Sequence, residues 1–392
     1  MVDESRHSGV SSPKRSIRLL HIVESFDGQA VESWLANVLR FAKQSHPEFD
    51  WTFFCVQKPV GALDQQVRDI GATVVHTSHE LGNKVGFITS LRDTMCRGAF
   101  DVLHCHHDLM SAPALLASAG LRCRLRIVHV HNTALSVPTD NPLKIALVRE
   151  PMRQVCLRAA DRIVGVSEDA LEAILAGRPR RPGRDKVIHC GIETHRFASE
   201  PLDRLRPKLS IPSDAKVLLF VGRMTTYKNP LFLVEVLEQL SRHGAAFYAV
   251  FAGKGPLEQN VHDLARAKGI ESNVKVLGWR NDVADLMQAA DVLVWPGVEE
   301  PKEGLGLGII EAQTAGLRVI MSRNVPEEAV VVPELVRTLD LSCGAATWAA
   351  EVISLLGREV PSRQSALAAI KASSFELTRS AENMLSLYSL SQ

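Results

Sequence analysis

The chain has 392 residues, 45 basic and 44 acidic side chains for a net charge of +1, and a hydrophobic content of 46%. That length suggests two domains of about 100–200 residues each, and the composition excludes a disordered or fibrous chain. Near-neutral charge with only 5% aromatics argues against a bulk nucleic-acid binder, though not against a local basic patch, and against a base-stacking single-strand binder.

Residues 1–16 read as a disordered N-terminus, polar and without the apolar core of a secretory signal. IRLLHIV predicts a strand over Ile17–Val23, turned at Gly28 into an amphipathic helix over Val31–Gln44. There Trp34, Leu35, Val38, Leu39 and Phe41 recur at helical spacing. Strands are then expected at Trp51–Val56, Ala72–His76, Val102–His104, Arg126–His131, Arg162–Val166 and Lys186–His189. They alternate with helices at Leu63–Ile70, Phe87–Arg97, Ala112–Ala119, Pro142–Ala160 and Glu168–Ala176. Short apolar strands without strict alternation are covered by helices on both faces. Residues 17–197 therefore read as a doubly wound parallel-sheet α/β domain.

Residues 198–214, with three prolines and mixed charge, read as a linker. The rhythm restarts over 215–375. Strands are expected at Lys216–Val221, Phe247–Ala252, Val274–Leu277, Val292–Trp295 and Arg318–Met321. Helices fall at Pro230–His243, Leu257–Lys268, Val283–Ala289 and Leu307–Ala315. Within 376–392, an amphipathic helix over Thr378–Leu390 is placed to pack back on the first domain. The longest apolar run, Leu109–Leu121, has 13 residues and contains Pro113. That is short of the roughly 18 or more needed to span a bilayer. Seven cysteines, scattered and without a CxxC pair, predict reduced, mostly buried thiols in a cytoplasmic protein.

Two facing sheets of this kind bring loops and helix N-termini to one cleft. Glu303 and Glu311 flank a loop-to-helix junction that carries glycines at 304, 306 and 308. Such a junction suits a phosphate, with a carboxylate nearby for hydroxyl groups. Arg223 and Lys228 follow an apolar strand and precede a helix, where a guanidinium and an ammonium suit a diphosphate. Phe251-Ala-Gly253-Lys-Gly255-Pro256 is another strand-to-helix turn. His104, His106, His107, His129 and His131 sit at carboxyl edges of the first sheet. They lack a matching carboxylate array, so hydrogen bonding is expected there and metal binding is not.

In this order the motifs resemble the GT-B retaining glycosyltransferases of family 4, the group 1 type of exopolysaccharide and lipopolysaccharide assembly. The resemblance rests on FDVLHCHHD, RIVHVHNT, AADRIVGVSEDALEAIL, VIHCGIETHRF, VGRMTTYKNP, FAGKGPL, VKVLGWRNDVADLMQAADVLVWP and EGLGLGIIEAQTAGLRVI. It covers about residues 17–330 and the terminal helix. It implies two Rossmann-like domains around a cleft, with a crossover helix at the C-terminus. It also implies transfer of a sugar from a nucleotide diphosphate with retention of configuration, through front-side attack and without a cofactor or divalent metal.

By the same resemblance, Arg223 and Lys228 would hold the donor diphosphate and Glu311 the ribose. Glu303 would contact sugar hydroxyls, with the backbone of Gly304, Leu305, Gly306 and Leu307 bracing sugar and phosphate. The backbone at Arg280 and Asn281 would receive the base, and His131 would lie over the sugar–phosphate. Glu303, His131, Arg223 and Lys228 would form the catalytic set. Gly28, Gln29, Gly222, Gly253, Gly255 and Pro256 would complete the donor site. The acceptor would be a saccharide or a lipid-linked saccharide.

The chain departs from the family pattern at Gln29-Ala30, where a glycine is usual, and at Cys190 and Glu193, where Asn and Asp are usual. These departures leave a catalytically weak nucleotide-sugar-binding or scaffolding protein as the alternative. The segment Glu299–Lys302 reads as an insertion beside the sugar pocket. Residues 178–186 hold five cations, read either as a solvated loop or as a peripheral contact with an anionic membrane.

Overall fold

A computed structural model describes residues 16–28, 30–57, 60–79, 83–136, 139–198, 205–242 and 246–389. The expected disorder of 1–16 lies outside the described residues except for residue 16, and so do Gln29 and residues 199–204 of the linker.

Seven parallel strands make the first sheet: β1 (Ile17–Val23), β2 (Phe49–Cys55), β3 (Thr73–His76), β4 (Val102–Cys105), β5 (Leu125–Val130), β6 (Arg162–Gly165) and β7 (Asp185–Val187). Their order is β3-β2-β1-β4-β5-β6-β7. Six more make the second: β8 (Lys216–Val221), β9 (Phe247–Ala252), β10 (Val274–Val276), β11 (Val292–Trp295), β12 (Arg318–Ser322) and β13 (Val336–Leu339), ordered β10-β9-β8-β11-β12-β13. In both, the winding reverses between the first and fourth strands. That reversal opens a crevice at the carboxyl ends of β1 and β4, and of β8 and β11.

The strands form where apolar, β-branched runs can be buried on both faces; Leu19, Leu20, Val217, Leu218 and Leu219 are all fully buried. One apolar cluster joins the two domains, and a second fills the outer side of the second sheet around Phe220, Phe251 and Trp348.

The described structure departs from the sequence reading in three places. The helix expected over Pro142–Ala160 is Pro142–Lys144, a wider π-helical turn at Ile145–Arg149, and Glu150–Ala159. Leu143 and Leu147 on the first two pieces are two-thirds exposed. The described part of the linker is packed rather than loose: Leu205 and Ile211 are buried, and Arg206 Nη2 lies 2.7 Å from Asp291 Oδ2. After Ser322 the chain adds β13 and helices Gly344–Leu356 and Arg363–Ala372, which sequence reasoning did not delimit.

The terminal helix, Leu377–Leu385, lies on Ala30–Ser45 of the first domain. Trp34 Nε1 donates to Ser380 Oγ at 2.9 Å, and Ser380 Oγ donates to the His189 carbonyl at 2.7 Å. A Cβ on Gly191 would stand 2.6 Å from Ser380 Cβ, so only glycine admits the helix this close. The turn that follows buries Tyr388 completely beneath the first sheet. Burial of a ring that size contributes about 2 kcal/mol.

Candidate active site

At the carboxyl end of β8 the chain turns through Gly222, at φ 144°, into a loop that starts helix Pro230–Ser241. Arg223 on this loop is exposed and has no ion pair among the described residues. Lys228 turns inward. Its ammonium pairs with the Glu303 carboxylate and lies 4.4 Å from the centre of the Trp295 ring, a cation–π contact. Trp295 ends β11, and its ring leaves no room for a side chain at Gly308. Glu303 is buried, and its N–H donates to the Asn324 carbonyl at 2.6 Å. A buried ion pair adds little net stability. What it does here is hold a cation and a carboxylate together at the crevice of the second sheet.

Gly304 is one of the points where the domains touch. A Cβ there would stand 1.8 Å from the His131 carbonyl oxygen. Leu305 is buried, and Gly306, at φ 80°, precedes helix Leu307–Thr314. The first-turn N–H groups of that helix have no partners within the helix itself. Glu311, in its second turn, is half-buried. Burial pushes its carboxyl up to about 7, opposed by Arg196 and assisted by Glu193. Arg196 also donates to the Asn281 carbonyl at 3.1 Å, so the segment before the linker reaches the Arg280–Asn281 loop. The Arg280 side chain is held by Asp282 (Nε to Oδ1 2.7 Å), which leaves this loop to present its backbone. Beside it stands Trp279, 62% exposed, a residue the sequence reading passed over.

The glycines of the third motif have a structural task. A Cβ on Gly253 would stand 1.8 Å from the Gly222 carbonyl, and one on Gly255 2.3 Å from the Met224 carbonyl. The two loops are stacked backbone to backbone, and Leu257, just after Pro256, donates from its N–H to the Met224 carbonyl at 3.0 Å.

On the opposite wall Gly28, at φ 82°, turns the chain toward helix Ala30–Ser45. Glu32 in the first turn is buried with Oε2 unpartnered. Burial pushes its carboxyl up to about 7, helped by nearby Glu24 and Asp27. The signal that could have exposed it is a carboxylate on the apolar stripe of an amphipathic helix. In the unfolded chain Glu32 ionises near 4.5, so the folded state binds an extra proton between about 4.5 and 7. Its contribution to stability is therefore present below 4.5 and lost as the pH rises through 7, and Glu311 acts in the same sense. Glu32→Gln is expected to raise the Tm at pH 8 and to flatten its fall between pH 5 and 8. Thermal melts across that range check it; a variant melting below the wild type at pH 8 would contradict it.

Cys190 is buried, and burial first, then Glu32, push its thiol up. Lys302 of the Glu299–Lys302 segment binds the first domain twice: its carbonyl accepts from Thr133 Oγ1 at 2.6 Å, and Nζ lies 3.1 Å from Asp169. His104, His106, His129 and His131 bond to one another or to neighbours through their ring nitrogens, and His21 of β1 joins them. His21 escaped the sequence reading because it stands in the middle of an apolar strand. His131 is half-buried, and its main-chain N–H is held by Asp108 at 2.7 Å.

Two family models match the chain. Glycosyltransferase Family 4 matches residues 38–196, and Glycosyl transferases group 1 matches residues 202–369. The chain belongs to glycosyltransferase family 4. Among relatives, it is 25% identical over 378 residues to EpsF of Bacillus subtilis, which carries a glycosyltransferase description; the match spans 95% of this chain and 97% of EpsF. It is 24% identical to the Escherichia coli UDP-Gal:alpha-D-GlcNAc-diphosphoundecaprenol alpha-1,3-galactosyltransferase, over 73% of this chain and 74% of that enzyme. Anabaena HepE, crystallised with UDP and glucose, superposes with a TM-score of 0.74 at 18% identity, over 95% of this chain and all of HepE. The fold of this family 4 glycosyltransferase is accordingly GT-B, with its paired Lys228 and Glu303 in the cleft between the two sheets.

Proposed function

We propose that the chain transfers a sugar from a nucleotide diphosphate to a saccharide or lipid-linked acceptor, with retention, in polysaccharide or glycolipid assembly. The observation that carries this reading is Lys228, half-buried and held against Glu303 and Trp295, beside the exposed Arg223 at the end of β8. The acceptor hydroxyl oxygen forms a bond to the anomeric carbon as the bond from that carbon to the diphosphate oxygen breaks. The electron pair leaves with the diphosphate, and the acceptor's proton passes to a phosphate oxygen on the same face. Arg223 and Lys228 stabilise the developing negative charge. Glu303 accepts hydrogen bonds from sugar hydroxyls once the diphosphate draws on Lys228. Glu311 takes the ribose hydroxyls, and exposed Trp279 flanks the base. The relatives that bear on donor and acceptor are the galactosyltransferase and HepE, whose names carry UDP-galactose, a diphosphoundecaprenol-linked sugar, and UDP with glucose.

A panel of UDP-, GDP- and ADP-sugars, read by thermal shift, donor hydrolysis and the anomeric configuration of the product, tests this reading. Turnover is expected to survive EDTA, because two side-chain cations supply the charge on the leaving group. Tight nucleotide binding without turnover on any donor would instead support the non-catalytic alternative.

A membrane-facing surface is part of the same proposal. Three of the five cations in 178–186 are tied up within the protein, Arg178 by Glu150 at 2.9 Å, Arg180 by Glu168, and Arg184 by Asp185 at 3.7 Å and by the Leu157 carbonyl. The exposed Leu143, Leu147 and Val148 stand on the helical run leading to Glu150. No helix among the described residues is long and apolar enough to cross a membrane. Co-flotation with anionic vesicles is expected at low salt and lost at about 0.5 M salt; flotation that persists there would rule out the electrostatic contact.

A further inference from the structure

Six side chains beneath the carboxyl edge of the first sheet stand in one unbranched file. His131 Nε2 lies 3.0 Å from His106 Nδ1, and His106 Nε2 lies 3.1 Å from His21 Nδ1. His21 Nε2 lies 3.4 Å from the Tyr388 hydroxyl, which lies 2.7 Å from His104 Nδ1. His104 Nε2 lies 3.2 Å from His129 Nδ1. Each inner member faces one neighbour on either side. The two end atoms, His131 Nδ1 and His129 Nε2, are buried and have no hydrogen-bond partner among the described residues.

A neutral imidazole carries one N–H and one lone pair. Burial keeps these rings neutral: His21 and His131 are pushed down to about 3, and His104, His106 and His129 well below the usual histidine value. Only two proton arrangements then satisfy every link. Either all five rings are protonated at Nε2, or all five at Nδ1 with the hydroxyl reversed. Any mixture either sets two protons or two lone pairs face to face or, where both His21 and His104 donate to the hydroxyl oxygen, leaves the buried Tyr388 hydroxyl proton without an acceptor. Two trios of these rings, His21–His104–His106 and His106–His129–His131, have nitrogens within 4.8 Å of one another. A metal ion, however, needs lone pairs converging on one point, whereas these contacts run pairwise along a line.

We propose that His106, His21, Tyr388, His104 and His129 are positioning residues that fix which ring nitrogen of His131 carries its proton. The Nε2–H order leaves a lone pair on His131 Nδ1, whereas the Nδ1–H order puts the proton there. A nitrogen with its lone pair free accepts from a sugar hydroxyl and disfavours a phosphate oxygen; the opposite order inverts the preference. A ligand that donates to His131 Nδ1 favours the Nε2–H order, and one that accepts there favours the Nδ1–H order. Tyr388 puts the Ser386–Tyr388 turn inside this control. The link to a sugar hydroxyl rests on the donor-cleft reading above, but the ordering of the file does not.

Nitrogen NMR on the full chain, labelled with 15N-histidine and without ligand at pH 7, tests it. All five rings are expected to show one and the same tautomer, Nε2–H throughout or Nδ1–H throughout. Tyr388→Phe removes the middle member, and the His131 and His106 signals are expected to shift toward an averaged or reversed tautomer in a variant that keeps its circular dichroism. Unmoved His131 signals in folded Tyr388→Phe overturn the coupling. If that variant does not fold, the wild-type spectrum decides, since mixed tautomers along the file overturn the ordering. Stoichiometric Co2+ binding that broadens the His106 and His129 signals overturns it in favour of a metal site. Failure of the donor screen leaves all these spectra unchanged.

Discussion

Lys228→Ala is expected to lower turnover by about 10²-fold or more, the usual effect of removing one electrostatic partner of a developing charge. The same change strands the buried Glu303 carboxylate, a cost of about 3–5 kcal/mol in stability, so a fall in rate alone would not separate chemistry from folding. The double variant Lys228→Met with Glu303→Gln does. It removes both charges from a site walled by Trp295, so its Tm is expected to return to or above the wild-type value while turnover stays low. Initial rates and melts on the single and double variants check this. A double variant with wild-type turnover would take the pair out of the active site.

Gly304→Ala is expected to cost turnover about as much, for a different reason. The new Cβ would meet the His131 carbonyl oxygen at 1.8 Å, and backbone on both sides leaves no rotamer to escape into. The contact crosses the cleft, so the strain is relieved by the domains moving apart. A displacement of about 1 Å is enough to cost about 10²-fold in rate. The expected signature is a small change in Tm, a larger radius of gyration by X-ray scattering and a large loss of rate. Gly253→Ala provides the contrast. Its clash with the Gly222 carbonyl, at φ 149°, lies within one domain, so there the Tm should fall. Full activity in Gly304→Ala would mean that the cleft works in a more open form than the one described.

The strands were legible because buried parallel strands are apolar runs, which needs no knowledge of partners. The family motifs were legible because each lies in one stretch just after a strand. What escaped reading depends on distant partners. His21 looks like a core residue until β4 places His104 beside it, Leu19 pairing with Val102 and His21 with His104. Glu32 looks like a surface carboxylate on a helix until the fold buries it. Gly304 reads as a flexible loop glycine, and only the other domain's carbonyl makes it obligatory. Residues 336–372 were missed because VRTL is a four-residue edge strand and the helix that follows it is rich in alanine.

The terminal helix and Tyr388 carry a consequence for biosynthesis. Residues 377–388 leave the ribosome after the whole second domain, yet Trp34, His189 and the imidazole file of the first domain all rely on them. The first domain therefore waits, with an apolar face and buried polar groups uncovered, while some 180 further residues are made. N-terminal domains ordinarily fold as units during synthesis; this one receives its closing piece only after the second domain has been made. A nascent chain that stalls short of Ser380 presents that open face to chaperones and proteases, so quality control can read from the surface of the first domain whether the segment beyond the second domain has been made.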